Sequence, residues 1–192
     1  MKFNTKTIHG GQKHDQAYGS VMPPIYQTST YAQSTPGGHK GYEYSRTHNP
    51  TRNALENAFA SIENGTYGLA FGSGLAAIDA VIKLLKPGDE VISTNDLYGG
   101  TYRLFTKIFE SFGIKFHFIG MQNASNIESY VNSNTKLIWV ETPTNPMMNI
   151  IDIKTTAEIA KKHNILLAVD NTFATPYLQQ PLELGADIVM HS

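Results

Sequence analysis

The chain has 192 residues, a net charge of −1 at pH 7 and 16% charged residues, against roughly 25% in an average soluble domain. Acids and bases are interspersed, which leaves no footprint for nucleic acid or an anionic membrane, and the absence of cysteine excludes disulfides, thiolate metal sites and a cysteine nucleophile. No apolar run approaches the roughly 18 residues of a membrane span, and Met1 to Lys6 lacks the apolar core of a signal peptide, so the expectation is a cytoplasmic protein with one large core.

Residues 1–49 keep neither a helical nor a strand period for long and are rich in Gln, Ser, Thr, Gly and Pro. They nevertheless carry Tyr18, Tyr26, Tyr31, Tyr42 and Tyr44, more aromatic surface than a disordered tail usually has. The segment reads as an extended arm lying on another surface. From Asn49 the pattern alternates. Asn49 caps a helix with Pro50 at its first position and Leu55, Ala58, Phe59 and Ile62 on one face, ended by Asn64-Gly65. Tyr67 to Phe71 reads as a first strand, and Gly72-Ser73-Gly74 turns into a helix carrying Leu75, Ile78, Ile82 and Leu85. Glu90 to Thr94 is the next strand, followed by a helix with Phe105, Ile108, Phe109 and Phe112 on one side. Ile114 to Ile119 is a strand, and Ser125 with Glu128 forms a capping box for a short helix through Val131. Lys136 to Val140 is strand, Asp152 to His163 helix, Ile165 to Val169 strand, and Asp187 to Met190 strand again. Such alternation predicts an α/β fold, a mainly parallel sheet with helices on both faces, over residues 50–192.

In an open α/β sheet, ligands bind beyond the carboxyl ends of the strands. Asp170 ends a strand with no polar face, and a buried acid there calls for a cationic partner. Gly72-Ser73-Gly74 opens a helix where backbone N–H groups can approach an anion, which makes a phosphate cradle or, equally, a tight turn. Tyr98 is flanked by Gly99 and Gly100, which leaves its ring free to stack on a flat ligand. The Glu141 to Pro146 loop presents Asn145, both donor and acceptor. Ser192 follows the last strand, and Arg46, upstream of the sheet, suits a phosphate. The seven histidines do not cluster, so no metal site is expected.

Two cofactor classes fit this layout. Gly72 to Ala77 matches G-x-G-x-x-A after a strand, with Asp96 near the distance of a ribose acid, but a dinucleotide leaves Asp170, Tyr98 and Asn145 idle. Pyridoxal phosphate needs a phosphate cradle, a stacking ring and an acid against the pyridinium nitrogen, and uses all of them.

Tyr42 to Arg52 (YEYSRTHNPTR), Ser73-Gly74-Leu75, Tyr98-Gly99-Gly100-Thr101, Glu141 to Pro146 (ETPTNP) and Val169 to Pro176 (VDNTFATP) follow one another along nearly the whole chain. Together they resemble the pyridoxal-phosphate enzymes of Cys/Met metabolism, the cystathionine γ-synthases and γ-lyases. The resemblance implies a fold-type I, aspartate aminotransferase-like large domain and a homotetramer built from tight dimers. By that resemblance Ser73, Gly74, Leu75 and Ser192 would hold the phosphate, and Tyr44 and Arg46 would reach the phosphate of a neighbouring subunit. Tyr98 would stack on the ring and assist proton transfer. Asn145 would lie near the phenolic oxygen, Asp170 would pair with the pyridinium nitrogen, and Thr172 belongs to the same motif. Glu141 takes a supporting role. In the family a Ser-x-Thr-Lys motif supplies the Schiff-base lysine, and Ser192 matches its serine, so the sequence reads as the N-terminal part of a longer enzyme whose small C-terminal domain lies beyond it. The implied reaction is replacement of a γ-substituent on an O-acylhomoserine by cysteine, with cystathionine γ-lyase or a related C–S lyase as the alternative, or a fragment that binds the cofactor without catalysis. Gly100 stands where methionine γ-lyases tend to carry cysteine, which argues against that member.

Overall fold

The alternation that starts at Asn49 is realised in a computed structural model, which describes residues 1–192. In chain order the elements are α1 (Phe3–His9), α2 (Pro50–Ile62), α3 (Gly74–Ile82), β1 (Glu90–Thr94), α4 (Gly99–Arg103), β2 (Lys115–Ile119), α5 (Ser125–Glu128), β3 (Thr135–Glu141), α6 (Ile153–His163), β4 (Leu166–Asp170), α7 (Thr175–Leu178) and β5 (Ile188–Met190). They fall into two units, Met1–Ala70 and Phe71–Ser192.

The second unit is built on one parallel sheet in the order β2-β1-β3-β4-β5. The chain winds outward from β1 to β2, then returns to β3 and winds the other way. The switch point therefore lies between β1 and β3, and a crevice is expected beyond their carboxyl ends. Alternate residues of each strand serve opposite faces. Ile92, Ile138, Val140, Leu167 and Val169 pack on Ile127 of α5 and on Ile153, Ala157 and Ala160 of α6. Val91, Leu137, Trp139, Ala168 and Met190 pack on Ile78 and Ile82 of α3 and on Phe105 and Phe109. Both faces are covered, which is why the central strands β3 and β4 carry continuous apolar runs, Leu137 to Val140 and Leu166 to Val169. By the same parity, Glu141 and Asp170 continue the rows of Trp139 and Ala168 and so belong to the α3 face. No helix is long and apolar enough to cross a membrane.

Local signals account for most element ends. Asp152 caps α6 by accepting the Thr155 N–H at 3.0 Å, and Asn164 closes the helix in the left-handed region at φ 55°. Gly113, at φ 79°, ends the helical segment before β2.

Three expectations need correction. Tyr67 to Phe71 is not a strand: no neighbouring strand pairs with it, and Tyr67 and Leu69 are 88% and 76% exposed. An apolar run supplies side chains for a sheet but not the partner that makes it one. Ser125 is not an N-cap. The N-cap is Ala124, and Asn123 before it accepts from the Ser125 N–H at 3.1 Å and from its hydroxyl at 2.8 Å, so no capping box forms. The helix expected through Phe112 is regular only to Arg103, then widens into a π-type stretch, Leu104–Ile108, and tightens into a 3₁₀ turn, Phe109–Phe112. Phe105 and Phe109 are buried, with Phe105 stacked on Phe116 at 4.5 Å, whereas Ile108 and Phe112 stay exposed.

In the first unit Asn49 caps α2 through the Thr51 N–H at 2.8 Å, with Pro50 at the first helical position, as the sequence predicts. The unit also holds a short helix, α1, that the aperiodic reading of residues 1–49 did not foresee, and a bridge between Thr30 and Tyr44. No residue of α2 is buried, and Leu55 and Phe59 on its apolar face are 48% and 42% exposed.

Candidate functional site

Beyond the carboxyl ends of β1, β3, β4 and β5, on the α3 face, lies a cavity of about 300 Å³. Gly74 and Leu75 at the start of α3, Tyr98, Glu141, Asn145, Asp170, Thr172 and Ser192 all line it, so eight residues singled out from the sequence meet in one place. Ser73 is not among the lining residues; it is the N-cap of α3, accepting the Ala76 N–H at 3.2 Å. Tyr44 and Arg46 belong to the first unit, where the Arg46 guanidinium donates to the Tyr44 hydroxyl at 2.8 Å and lies 5.0 Å from its ring centre. Ile78, Pro143, Phe173 and Met190 complete the wall. Nothing in their pattern distinguishes them from ordinary core and turn residues.

The α3 end is a backbone cradle. Gly74 and Leu75 are the first two helical residues, whose N–H groups have no acceptor within the helix. A Cβ on Gly74 would lie 2.5 Å from the Ser192 hydroxyl oxygen, so only glycine lets Ser192 come this close. The Ser192 N–H in turn donates to the Thr172 hydroxyl at 3.1 Å.

Thr172 also orients the acid. Its hydroxyl and its N–H both donate to Asp170 Oδ1, at 2.5 and 3.1 Å. Burial pushes the Asp170 carboxyl above its ordinary range, against these two bonds and the charge of His191, which favour the anion. A cation in the cavity would remove that penalty.

Glu141 is its neighbour, paired in register across β3 and β4 and only 5% exposed. Its Oε2 accepts the Tyr98 N–H at 2.9 Å, a bond that spans the switch point from the loop after β1 to the end of β3. Burial raises this carboxyl to about 7. The Tyr98 N–H opposes the rise, Asp170 adds to it, and an N–H from Asn145 and the charge of Asp96 make smaller contributions of opposite sign.

Asp96 holds the Asn145 loop. Its Oδ2 accepts from the Thr144 hydroxyl, from the Met147 N–H at 3.2 Å and from the Asn149 amide at 3.2 Å. Inside the loop the Thr144 N–H bonds to the Asn149 carbonyl at 3.0 Å. The acid that a dinucleotide would require at its ribose is thus engaged in fixing a loop. Tyr98 is placed with equal economy: a Cβ on Gly100 would lie 2.3 Å from its ring, so the ring occupies space that only glycine leaves open.

A helix N-terminus, a hydroxyl, an aromatic ring, an amide and a buried acid converging on one cavity fit pyridoxal phosphate. No group of three or more His, Cys, Asp or Glu side chains is placed to hold a metal ion. Comparison with known proteins agrees with this chemistry. The family model for Cys/Met metabolism PLP-dependent enzymes matches residues 4–192. The chain is 54% identical over 192 residues to a cystathionine gamma-lyase of Bacillus subtilis, covering 100% of this chain and 51% of that protein. It is 51% identical over 191 residues to a cystathionine beta-lyase of Coxiella burnetii, covering 99% of this chain and 49% of that one. The crystal structure of metB from Corynebacterium glutamicum superposes with a TM-score of 0.97 at 48% identity, over 100% of this chain and 50% of that chain. Proteins named as cystathionine gamma-synthases are also among the relatives. The chain spans about half the length of the first of these relatives.

Proposed function

We propose, from the premise that this chain belongs to the Cys/Met-metabolism family of PLP-dependent enzymes, that the protein is an enzyme of sulfur amino-acid metabolism that makes or breaks the C–S bond of cystathionine-type substrates. The observation that carries this reading is the pairing, in one cavity, of the buried Asp170 carboxyl with the backbone cradle of α3 and Ser192.

Pyridoxal phosphate bound there would supply an electron sink for the substrate's α-carbon. Asp170 would pair with the pyridinium nitrogen and keep the ring electron-poor, with Thr172 fixing the plane of its carboxyl. The Gly74 and Leu75 N–H groups and the Ser192 hydroxyl would hold the phosphate. Tyr98 would stack on the ring and assist proton transfer, and Asn145 would serve the cofactor's phenolic oxygen. Tyr44 and Arg46 serve the phosphate of a neighbouring subunit in a homotetramer, and the protein works in the cytoplasm on small amino-acid substrates. Segment 1–49, which includes α1, is an arm for that assembly, and residues 50–192 belong to the cofactor-binding domain.

The finer reading is γ-replacement, in which cysteine displaces the γ-substituent of an O-acylhomoserine. Cleavage of cystathionine is the second reading, favoured by the names of the two relatives that share 54% and 51% identity. Incubating the protein, purified as its gene encodes it, with O-acetylhomoserine plus cysteine, and separately with cystathionine, distinguishes them. Cystathionine formed in the first mixture supports the synthase, ammonia and an oxo acid released only in the second support a lyase, and turnover in neither rejects both.

A further inference from the structure

We infer that Glu141 is a second acid of the cofactor site, a positioning residue that holds the stacking loop by the Tyr98 backbone and adds its charge to the hold of Asp170 on a protonated pyridine ring. The inference rests on the reading of the cavity as a pyridoxal phosphate site.

Three placements converge on this side chain. Glu141 ends β3 in register with Asp170 of β4, and strands in a sheet lie about 4.8 Å apart, so the two residues are neighbours whose side chains leave the same, α3, face. Both line the cavity. The Glu141 carboxyl also accepts the Tyr98 N–H at 2.9 Å, which ties the loop after β1 to the strand that leads into the Asn145 loop. A neutral amide oxygen can also accept that N–H, so the bond by itself does not call for an acid. The charges that act on it are those of Asp170 from β4 and Asp96 from the loop after β1, both negative, while His191 stands by Asp170. Two neighbouring buried acids disfavour each other's ionisation. A pyridinium N–H delivered to Asp170 supplies the missing positive charge. Its arrival favours the anion of Glu141, and by linkage ionised Glu141 tightens the hold on the cofactor.

The test is the affinity of the cofactor-free protein for pyridoxal phosphate between about pH 6 and about pH 8.5, a range that brackets the titration of a carboxyl raised toward neutrality. Binding is read by quenching of Trp139, the only tryptophan in these 192 residues, two positions before Glu141 on the same strand face. The ratio of wild-type affinity to that of Glu141→Gln should rise with pH by about tenfold, the equivalent of one unit of pKa displacement on binding. Glu141→Leu, which also loses the Tyr98 anchor, should bind more weakly than Glu141→Gln throughout. A pH-independent ratio would overturn the charge role, and equal affinities for Gln and Leu the anchoring role. If wild type fails to bind pyridoxal phosphate at any pH, the cofactor reading falls and this inference with it. If Glu141→Leu does not fold, the ratio with Glu141→Gln still decides the charge role.

Discussion

At the scale of single residues, the site is an arrangement of costs that a ligand would offset. Glu141 shows the sign most clearly. Its carboxyl titrates at about 7 in the folded chain, against an ordinary value of 4.5. Below the ordinary value it is neutral folded or unfolded and costs nothing. As pH rises the unfolded chain releases this proton first, so stability falls up to about 7 and stays lower above it, by on the order of 3 kcal/mol. Glu141→Gln should therefore stabilise the cofactor-free protein by about 1–3 kcal/mol near pH 8, and the gain should vanish near pH 4. Urea midpoints at the two pH values check this, and a pH-independent difference would count against the burial argument. Gly100→Ala acts differently. Alanine favours a helix over glycine by about 1 kcal/mol, so the fold should hold or gain slightly. The Tyr98 ring must move, because the new Cβ would lie 2.3 Å from it. Cofactor affinity should fall by about tenfold, the value of one good ring stack. Unchanged affinity in a titration would mean that the ring position does not matter.

At the scale of elements, the sequence revealed what rests on side-chain period and concealed what rests on partners. The Asn49–Pro50 start of α2, the Asp152 cap and the apolar runs of β3 and β4 were legible because cap chemistry and apolar runs are local signals. Tyr67 to Phe71 carries the composition of a strand, but strand pairing is non-local and no window of sequence contains it. The shift from α to π to 3₁₀ geometry before β2 was equally hidden, since it follows from how Phe105 and Phe109 seat against the sheet. The site residues were visible as polar groups at strand ends, whereas the Glu141–Tyr98 bond and the Asp96 anchor join residues 43 and 48 to 53 positions apart. Asp96 makes a prediction for its loop. Asp96→Ala removes the acceptor of three donors and should cost about 2–3 kcal/mol. Amide exchange should quicken at residues 144–149 first, and a loss of protection spread evenly over the sheet would contradict a local anchor.

At the scale of the molecule, the second unit buries its sheet on both faces, while large apolar side chains outside the sheet stay exposed in both units. Ile25 is 85% exposed and Leu55 48% in the first, and Leu178 is 76% and Met147 70% exposed in the second. Such a surface fits the assembly proposed here. Sedimentation of the purified protein should give a mass several times that of one chain, and a monomer at micromolar concentration would reject the tetramer.

The most direct measurement is a titration of the cofactor-free protein with pyridoxal phosphate, followed by visible absorbance and Trp139 quenching, for wild type and Asp170→Asn. The account predicts saturable binding at one site per chain in wild type. In the variant it predicts a loss of about 30-fold, the equivalent of about 2 kcal/mol for a buried charge pair reduced to a neutral contact. Absence of binding by wild type, or equal binding by the two proteins, would contradict the assignment of this cavity.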